Sequence, residues 1–464
     1  MRILLGVAMA ACLTLPAAAQ SPRPDQAQFR DIYKELVETN TTLSSGSCTL
    51  AAQRMAARLK AAGFADTDLH LIVTPANPKE GALVAVLPGR NPHAKAVLLL
   101  GHLDVVEARR EDWTRDPFRF IEEDGYFYGR GTADMKGQAA IWVDMLARFK
   151  KEGFAPRRTL KMALTCGEEG APFNGARHLV NEHRALIDAE FALNEGGWGR
   201  MDESGKRIYL GINSGEKTPV NFRLEVTNPG GHSMRPVKDN AIYHLAAGLL
   251  KIGAYDFPIQ TTESSRGFFA KMGPGLGGAM GAAMTAFAKN PQDMQAAATL
   301  ATDPAYNAMM RTTCVATMLD AGHANNALPQ RAGAVVNCRI FPGTTREQVS
   351  AKLQELMGDP EIKITANAGR SPGGSAPPLT DAIMKPILAA AARRWPGVPV
   401  VPMLEIGATD ASYLTPAGIP TYGFTSIFFE PDGSRLHGLN ERVRVSAIYE
   451  GRDLLTEVVK AYLK

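Results

Sequence analysis

Apolar and polar residues recur along this chain with two different periods, and these periods predict its elements. Between residues 26 and 63, apolar residues recur every three or four positions, which predicts helices. From there to about residue 213, short apolar runs such as AVLLLGH and LKMALTC alternate with amphipathic segments such as AAIWVDMLARFKKEG. Strands that are apolar on both faces are typical of a largely parallel sheet with helices on both faces. The same style returns in residues 369–464, so we predict one α/β domain that is split in sequence.

The intervening segment, residues 214–368, has a different pattern and predicts an inserted domain. KTPVNFRLEVTN alternates like a half-buried strand, NAIYHLAAGLLKIG is helical, and TTCVATML and AGAVVNCRIF are strand-like. REQVSAKLQELMG then predicts a helix and IKITANAG a strand. Strand–helix–strand–strand–helix–strand is the order of a small two-layer α+β domain. We therefore predict a first catalytic part at residues 20–213, the insertion at 214–368 and a second catalytic part at 369–464.

Residues 255–310 interrupt the inserted domain with a segment rich in glycine, alanine and methionine, KMGPGLGGAMGAAMTAFAK. The interpretation that we favour is a helical insertion that packs on its own domain. The alternative is a flexible substrate or dimer contact, because methionine-rich surfaces adapt to many shapes.

Composition narrows the functional class. The chain has 464 residues, of which 45% are hydrophobic and 21% charged, as in ordinary globular proteins. The 51 basic and 47 acidic residues leave a net charge of only +4. So small an excess gives no reason to expect a nucleic acid or an anionic membrane as partner.

The N-terminal residues have the pattern of a targeting segment. Arg2 precedes an apolar stretch that ends in three alanines, which predicts a secretory signal at residues 1–19 with cleavage after Ala19. The alternative is a lipoprotein signal that uses Cys12, and a retained anchor is disfavoured because the run is short for a membrane span. We therefore expect an exported protein, periplasmic or secreted.

Four cysteines remain after that cleavage: Cys48, Cys166, Cys314 and Cys338. An oxidising compartment permits disulfides, and four cysteines allow three complete pairings. Cys314 and Cys338 lie in two strand-like runs and could face each other. The alternative is four buried thiols.

Acidic and imidazole side chains occur in five segments where an apolar run meets glycine, which places them at strand ends or in tight loops. They are His102 and Asp104 in GHLDVV, Asp134 in GRGTADMKG, Glu168 and Glu169 in TCGEEG, Glu195 in ALNEGG, and His437 in RLHGLNERV. Two histidines and several carboxylates are the donors that a pair of hydrolytic Zn²⁺ ions requires. Taken singly, each has an ordinary alternative, such as a structural histidine or a turn aspartate. Asp104 lies two residues after His102, so on a strand it could orient the imidazole.

Taken in order, the motifs resemble a known family. GHLDVV, GRGTADMKG, CGEEG, NEGG, GGHSMRP, NALP, CRIFPG, GATDA and LHGLNE together resemble the di-zinc metallopeptidases that include aminoacylases, glutamate carboxypeptidase, acetylornithine deacetylase and succinyl-diaminopimelate desuccinylase. The resemblance covers nearly all of the mature chain. It implies a zinc-exopeptidase-like α/β domain with an inserted lid or dimerisation domain.

The resemblance also implies a role for each motif residue. Asp134 would bridge two Zn²⁺ ions, which Co²⁺ or Mn²⁺ could replace, and its following peptide bond would be cis. His102 and Glu195 would complete one metal site, and Glu169 and His437 the other. Glu168 would be the general base that takes a proton from a metal-bridging water. His232 would stabilise the oxyanion, often from a partner subunit, while Asn326, Arg339 and Gly407 would contact substrate. For Asp410 in the GATDA segment we expect a structural cap and not a functional role.

These roles predict a hydrolase of an amide bond. We expect carboxypeptidase-like release of a C-terminal amino acid from a small peptide. Hydrolysis of N-acyl amino acids is the alternative and dipeptidase activity the third, and a homodimer through the inserted domain is possible. A periplasmic binding protein that has lost catalysis should lack the base or a ligand, and all of these positions are present. A redox enzyme is disfavoured because there is no GxGxxG at a strand–helix junction.

Overall fold

The computed structural model describes residues 23–367 and 374–464. The predicted signal sequence and the predicted boundary at residues 368 and 369 lie outside these residues. The helices of this part are α1 (Pro24–Glu38), α2 (Cys48–Ala61), α3 (Lys136–Lys151), α4 (Gly175–Glu182), α5 (Arg184–Ile187), α6 (Ala241–Gly253), α7 (Glu263–Leu276), α8 (Gly278–Lys289), α9 (Met294–Leu300), α10 (Pro304–Ala308), α11 (Arg346–Met357), α12 (Asp381–Arg394), α13 (Ala411–Leu414) and α14 (Val445–Tyr462). The strands are β1 (Leu69–Thr74), β2 (Asn77–Leu87), β3 (Val97–His102), β4 (Ile121–Glu123), β5 (Tyr126–Tyr128), β6 (Leu160–Thr165), β7 (Phe191–Asn194), β8 (Gly199–Met201), β9 (Arg207–Glu216), β10 (Thr218–Thr227), β11 (Gly231–His232), β12 (Thr313–Ala321), β13 (Ala327–Leu328), β14 (Arg331–Ile340), β15 (Lys363–Ala366), β16 (Val400–Glu405), β17 (Thr421–Gly423), β18 (Phe428–Phe429) and β19 (Arg442–Arg444).

The larger sheet confirms the predicted α/β fold. Its strand order is β1-β2-β6-β3-β7-β17-β9-β8-β18, and β16 pairs with β9. The central strands β6, β3, β7 and β17 are parallel, whereas β1 and β2 on one side and β8 and β9 on the other add antiparallel pairs. The central sheet is therefore mostly parallel, as the buried apolar runs indicated.

Strand β3 shows why those runs are apolar on both faces. Val97 and Leu99 belong to the core on one side of the sheet, together with residues of α1, α2, α3 and α14. Leu98 and Leu100 belong to the core on the other side, with residues of α4 and α13. Because successive side chains of a strand point to opposite faces, a strand between two helical layers must be apolar throughout.

The smaller sheet has the strand order β12-β14-β10-β15, and all of its pairs are antiparallel. Val220, Phe222 and Leu224 of β10 point into a core shared with α6 and α11, while the residues between them lie on the other face. The predicted order of strands and helices in this segment is confirmed. The chain passes from the large sheet to the small one at Lys217, between β9 and β10.

The insertion is helical, but its predicted packing was wrong. Helices α7 to α10 bury Phe268, Phe269 and Phe287 in a core that includes Val401 of β16 and has Tyr209 of β9 packed against it. The insertion thus packs mainly on the large sheet, not on its own domain. Gly267 permits the close approach, because a Cβ there would lie 3.0 Å from the side chain of Pro402. Chain position alone could not reveal which apolar surface was available.

Both cysteine pairs are disulfide-bonded, Cys48 with Cys166 and Cys314 with Cys338. Cys314 and Cys338 are register partners on β12 and β14, as their two strand-like runs suggested. The alternative of four buried thiols was wrong. Within residues 23–367 and 374–464, no helix is both long and apolar enough to cross a membrane.

Candidate active site

The acidic and imidazole residues meet at the carboxyl edge of the large sheet. His102 is the last residue of β3, Glu168 and Glu169 follow β6 closely, and Glu195 directly follows β7. Because these strands are parallel and adjacent, their carboxyl ends lie at the same edge, where ligands of open α/β sheets bind. Asp134 comes from the loop before α3.

Two groups of three side chains form there, and they share one aspartate. In the first group, His102 Nε2 lies 3.3 Å from Asp134 Oδ1 and 3.5 Å from Glu195 Oε2. In the second, His437 Nε2 lies 2.9 Å from Asp134 Oδ2 and 3.0 Å from Glu169 Oε2. The potential ligand atoms of each group lie within 4.8 Å of one another. The geometry brings together the five residues that the motifs assigned to two metal ions, and the Asp134–Met135 peptide bond is cis.

The chemistry of these donors fits a pair of divalent cations. His102 Nε2 is buried without a hydrogen-bond partner among the described residues, although carboxylates surround it. Burial alone would lower the pKa of His102, but the Glu195 and Asp134 carboxylates raise it well above its usual value. Hydrogen bonds to Asp134 and Glu169 raise the pKa of His437 to about 10. The carboxylates therefore favour positive charge at both imidazoles, and imidazole with carboxylate is a common donor set for zinc.

Asp104 supports this cluster in a different way from the one expected. The Nδ1–H of His102 donates to the backbone oxygen of Asp104 at 2.9 Å, whereas the carboxylate Oδ1 lies 3.7 Å away. The other carboxylate oxygen, Oδ2, accepts from the backbone N–H of Glu169 at 2.9 Å. The ring is therefore held by the backbone carbonyl of Asp104 and not by the carboxylate that the two-residue spacing predicted. Asp104 still fixes the tautomer that leaves Nε2 of His102 facing the cluster.

Glu168 lies beside both groups. Its carboxylate is within 4.8 Å of the potential ligand atoms of His102 and Glu169. Burial, followed by the charge of Glu195, raises the pKa of Glu168 well above its usual value. A carboxyl group with a raised pKa beside a reaction centre can exchange protons near neutral pH.

Sequence reasoning missed two residues that position the cluster, Glu441 and Arg130. The Glu441 carboxylate is fully buried and accepts from the backbone N–H groups of Gly131, Ala133 and Asp134 at 2.7–3.0 Å. Arg130 pairs with Glu441 at 2.7 Å and also donates to the carbonyl of Gly438, next to His437. Together they tie the Asp134 loop to the His437 loop. Both residues stand inside motifs already singled out, so buried charge within those motifs was the available signal.

The loop after β16 closes another side of the cleft. The N–H of Gly407 donates to Glu405 Oε1 at 2.9 Å. Asp410 is buried, accepts from Thr165 Oγ1 at 3.0 Å and from Asn174 Nδ2 at 2.7 Å, and so ties this loop to β6 and α4. Asp410 is thus structural as expected, but it connects these elements and makes no side-chain capping hydrogen bond to α13. Arg339, near the end of β14, is close enough to act electrostatically on Glu405 and Lys217.

His232 and Asn326 belong to the smaller domain, at the two-stranded ribbon formed by β11 and β13. His232 is the last residue of β11, and Asn326 directly precedes β13 and accepts at its backbone oxygen from the N–H of Ser233 at 2.9 Å. Both residues are exposed, and the N–H of Met234 donates to Nδ1 of His232 at 3.1 Å. Among the described residues, His232 is not one of the side chains whose potential ligand atoms form the two groups of three.

Comparisons with known proteins agree with this geometry. The chain is 28% identical over 368 residues to human N-fatty-acyl-amino acid synthase/hydrolase PM20D1. The matched region covers 78% of this chain and 73% of that protein. It is 28% identical over 388 residues to pig aminoacylase-1, with 82% and 84% covered.

Solved structures share the fold at low sequence identity. The M20 family metallo-carboxypeptidase Sso-CP2 from Sulfolobus solfataricus superposes with a TM-score of 0.69 at 18% identity and covers 94% of this chain and 99% of that one. The Bacillus subtilis YXEP protein, described as a dinuclear metal binding peptidase, gives a TM-score of 0.60 at 12% identity, with 94% and 99% covered. The model of peptidase family M20/M25/M40 matches residues 98–461. The resemblance seen in the motifs is thus confirmed: the chain belongs to the M20/M25/M40 peptidase family, whose members hydrolyse peptide or amide bonds and bind two metal ions.

Proposed function

We propose that this protein is an exported di-zinc hydrolase that releases the C-terminal amino acid from small peptides. The observation that carries the proposal is the pair of three-residue groups that share Asp134, with the Glu168 carboxylate beside both. When bound, two Zn²⁺ ions would lower the pKa of the attacking water and polarise the scissile carbonyl.

The chain's own residues supply proton transfer and orientation. Glu168 takes the proton of the attacking water and delivers it to the departing amine, because it is adjacent to the ligands without completing either shared group. Arg339 holds the free carboxylate of the substrate by two parallel hydrogen bonds, which fixes the scissile bond over the cluster. Glu441 and Arg130 keep the Asp134 and His437 loops in register during the reaction.

N-acyl amino acid hydrolysis is the second candidate. It is favoured by the similarity to pig aminoacylase-1 and to human PM20D1, a synthase and hydrolase of N-fatty-acyl amino acids. Both candidates release an amino acid with a free carboxylate, so Arg339 has the same task in each. They differ in the acyl side of the cleft.

We also propose that the protein forms a homodimer through the smaller sheet. Strand β12 lies at the edge of that sheet and exposes Val315, Met318 and Leu319, each at least 60% exposed. An exposed apolar edge strand is a ready surface for pairing with a second chain. The exposed His232 and Asn326 would then complete the site of the partner.

The export proposal rests on the sequence of residues 1–19 and is supported by the two disulfides, which persist in oxidising compartments. N-terminal sequencing of protein recovered from the periplasm should begin at residue 20. A product that retains Met1 and fractionates with the cytosol would contradict export.

One experiment tests the reaction class. Purified protein is assayed against matched substrates: small peptides with a free C-terminus, the same peptides as C-terminal amides, and N-acyl amino acids. Metal content is measured in parallel. We expect two zinc ions per chain, hydrolysis only of substrates with a free carboxylate, complete loss of activity with chelator and recovery with Zn²⁺ or Co²⁺. Full activity in metal-free protein would contradict the proposal.

A further inference from the structure

Two glutamates lie side by side next to the candidate ligand Glu195. Glu216 is the last residue of β9, Glu405 is the last residue of β16, and the two are register partners in this parallel pair. Neighbouring strands are only about 4.8 Å apart. Like charges at facing positions of a sheet are destabilising. Arg339 acts electrostatically on Glu405, so Glu216 is the member of the pair that still requires a compensating donor or positive charge.

Each carboxylate is only partly satisfied by the protein. Glu405 accepts from Asn213 Nδ2 at 2.7 Å and from the N–H of Gly407 at 2.9 Å. Glu216 Oε2 accepts from the N–H and the Oγ1 of Thr409 at 3.0 and 2.9 Å. Glu216 Oε1 is buried and has no hydrogen-bond partner among the described residues.

The lysine next to Glu216 does not compensate it. The Lys217 ammonium donates to the carbonyls of Ala308 and Arg311 and to Thr313 Oγ1, at 2.8–3.0 Å, away from the cleft. Lys217 therefore connects the helical insertion to the junction between the two sheets. Its ammonium group is bonded to these oxygens and not to Glu216.

Asn213 gives a second, independent sign of a missing donor. Its side chain is almost fully buried, with 6% exposed. Because its Nδ2 donates to Glu405, its other atom must be the carbonyl oxygen, and that Oδ1 has no hydrogen-bond partner in the part of the chain that the structure describes. Buried polar atoms are nearly always hydrogen-bonded. Two buried acceptors without a donor point to a ligand rich in N–H groups.

These residues line one pocket. Glu195, Asn213, Glu216 and Glu405 all contribute to its lining. No lysine, arginine or histidine is among its described lining residues. Ala411 and Pro416 add apolar wall, which suits an alkyl chain that leads to a charged end.

We infer that Glu216, Glu405 and Asn213 form a subsite for a cationic nitrogen group on the side chain of the amino acid that is released. The inference rests on the proposed function. Arg339, whose charge acts on Glu405, would hold the carboxylate of the same amino acid. The cleft would then bind the carboxylate and the side-chain cation of one amino acid at the same time. Burial raises the pKa of both glutamates, and a bound cation would favour their ionised forms.

The test compares two substrates whose side chains share a straight chain of four carbons and differ in the terminal ammonium group. An Nα-acyl-lysine and the Nα-acyl-norleucine with the same acyl group are assayed on the metal-loaded protein. We expect kcat/KM to favour the lysine substrate by about tenfold or more, as for a hydrogen bond to a charged group.

The informative variant is Glu216→Gln. Its amide oxygen can still accept both bonds from Thr409, while an N–H₂ group replaces the carboxylate oxygen that has no hydrogen-bond partner among the described residues. We expect the lysine-to-norleucine ratio of kcat/KM to fall about tenfold, mainly through a higher KM for the lysine substrate. Glu355→Gln is the matched control, because it removes one charge from an exposed position on α11 and should leave the ratio unchanged.

Three outcomes would overturn the inference. Equal kcat/KM for the two substrates on the unaltered protein removes the subsite and leaves the hydrolase proposal standing. An equal loss for both substrates in Glu216→Gln makes Glu216 a positioning residue for the Thr409 loop alone. If the unaltered protein, with two metal ions bound, hydrolyses neither of these substrates nor any peptide, the proposed function is wrong and the subsite falls with it.

Discussion

The acid–imidazole cluster and the β11–β13 ribbon both carry residues that the motifs assign to catalysis, but they differ in how the fold holds them. In the cluster, His102 and Glu195 are 2% and 8% exposed, and Glu441 and Asp104 fix the loops around them. On the ribbon, His232 and Asn326 are exposed and make only local hydrogen bonds. Metal binding and proton transfer can therefore be complete within one chain. The catalytic contribution that we propose for the ribbon would come from a second chain.

The largest loss of turnover should come from a substitution in the acid–imidazole cluster. Glu168→Gln removes the proton acceptor and keeps the shape of the side chain, so turnover should fall about 10³-fold or more. Metal content should stay at two ions per chain, as measured by elemental analysis of the purified variant. Glu169→Gln is the matched control, because the neighbouring ligand should lose metal as well as activity. Turnover that survives Glu168→Gln would remove this residue as the base.

His232→Ala tests the ribbon and should lower kcat by about 10²-fold, the size expected for loss of one oxyanion donor. Metal content and melting temperature should not change, because His232 is exposed and is not one of the side chains that form the two groups of three. Ser233→Ala, the next residue on the ribbon, is the control and should remain active. A parallel loss of metal would show that the ribbon supports the fold instead.

Mixing two inactive variants sharpens the same comparison. If His232 acts on the partner's cluster, His232→Ala and Glu168→Gln dimers should exchange subunits and regain activity. Random exchange makes half of the dimers mixed, each with one complete site, so about a quarter of the unmutated activity should return. No recovery after proven exchange would place His232 on the cluster of its own chain.

The cluster could be predicted from the sequence because its information is local. His102, Glu168 and Glu195 each stand where a buried apolar run ends, and parallel strands bring such ends to one edge. Glu441 and Arg130 could not be identified in this way, since their roles arise from contacts between residues 311 positions apart. The spacing of His102 and Asp104 likewise could not show that the backbone carbonyl of Asp104, and not its carboxylate, accepts the hydrogen bond from the His102 ring.

The ribbon and the insertion show the limits of periodicity more clearly. Strands β11 and β13 have two residues each, too few for an alternating pattern to be recognised. Helices α7 to α10 were correctly predicted as helical, but their apolar faces pack on β9 and β16. A hydrophobic pattern indicates that a face is buried, not which partner buries it.

Arg339 lies between the two regions, on the smaller sheet but with its charge reaching Glu405 at the cleft. Arg339→Ala should raise KM about tenfold for substrates with a free carboxylate and leave their kcat nearly unchanged, because a charge-assisted hydrogen bond is lost. C-terminal amides, which lack this carboxylate, should remain unhydrolysed by the variant. Arg331→Ala, an exposed arginine on the same strand, is the control. An unchanged KM would show that Arg339 does not bind the substrate carboxylate. The ribbon would then be the remaining candidate for binding it.

The two disulfides allow a last comparison, since each lies beside a functional residue. Cys166 is two residues before Glu168, and Cys338 is next to Arg339. The Cys48–Cys166 bond closes a separation of 118 residues and the Cys314–Cys338 bond one of 24. On the chain-entropy model these loops contribute about 5 and about 3.5 kcal/mol.

Replacing the Cys48–Cys166 pair by serine should therefore destabilise the protein more than replacing the Cys314–Cys338 pair. Cys48→Ser with Cys166→Ser should lower the free energy of unfolding by about 1.4 kcal/mol more than Cys314→Ser with Cys338→Ser. Urea denaturation of the two double variants, metal-loaded and under identical conditions, measures the difference. The reverse order would mean that loop length does not determine how much each disulfide stabilises the protein. The smaller sheet would then depend more on its disulfide than the large sheet does.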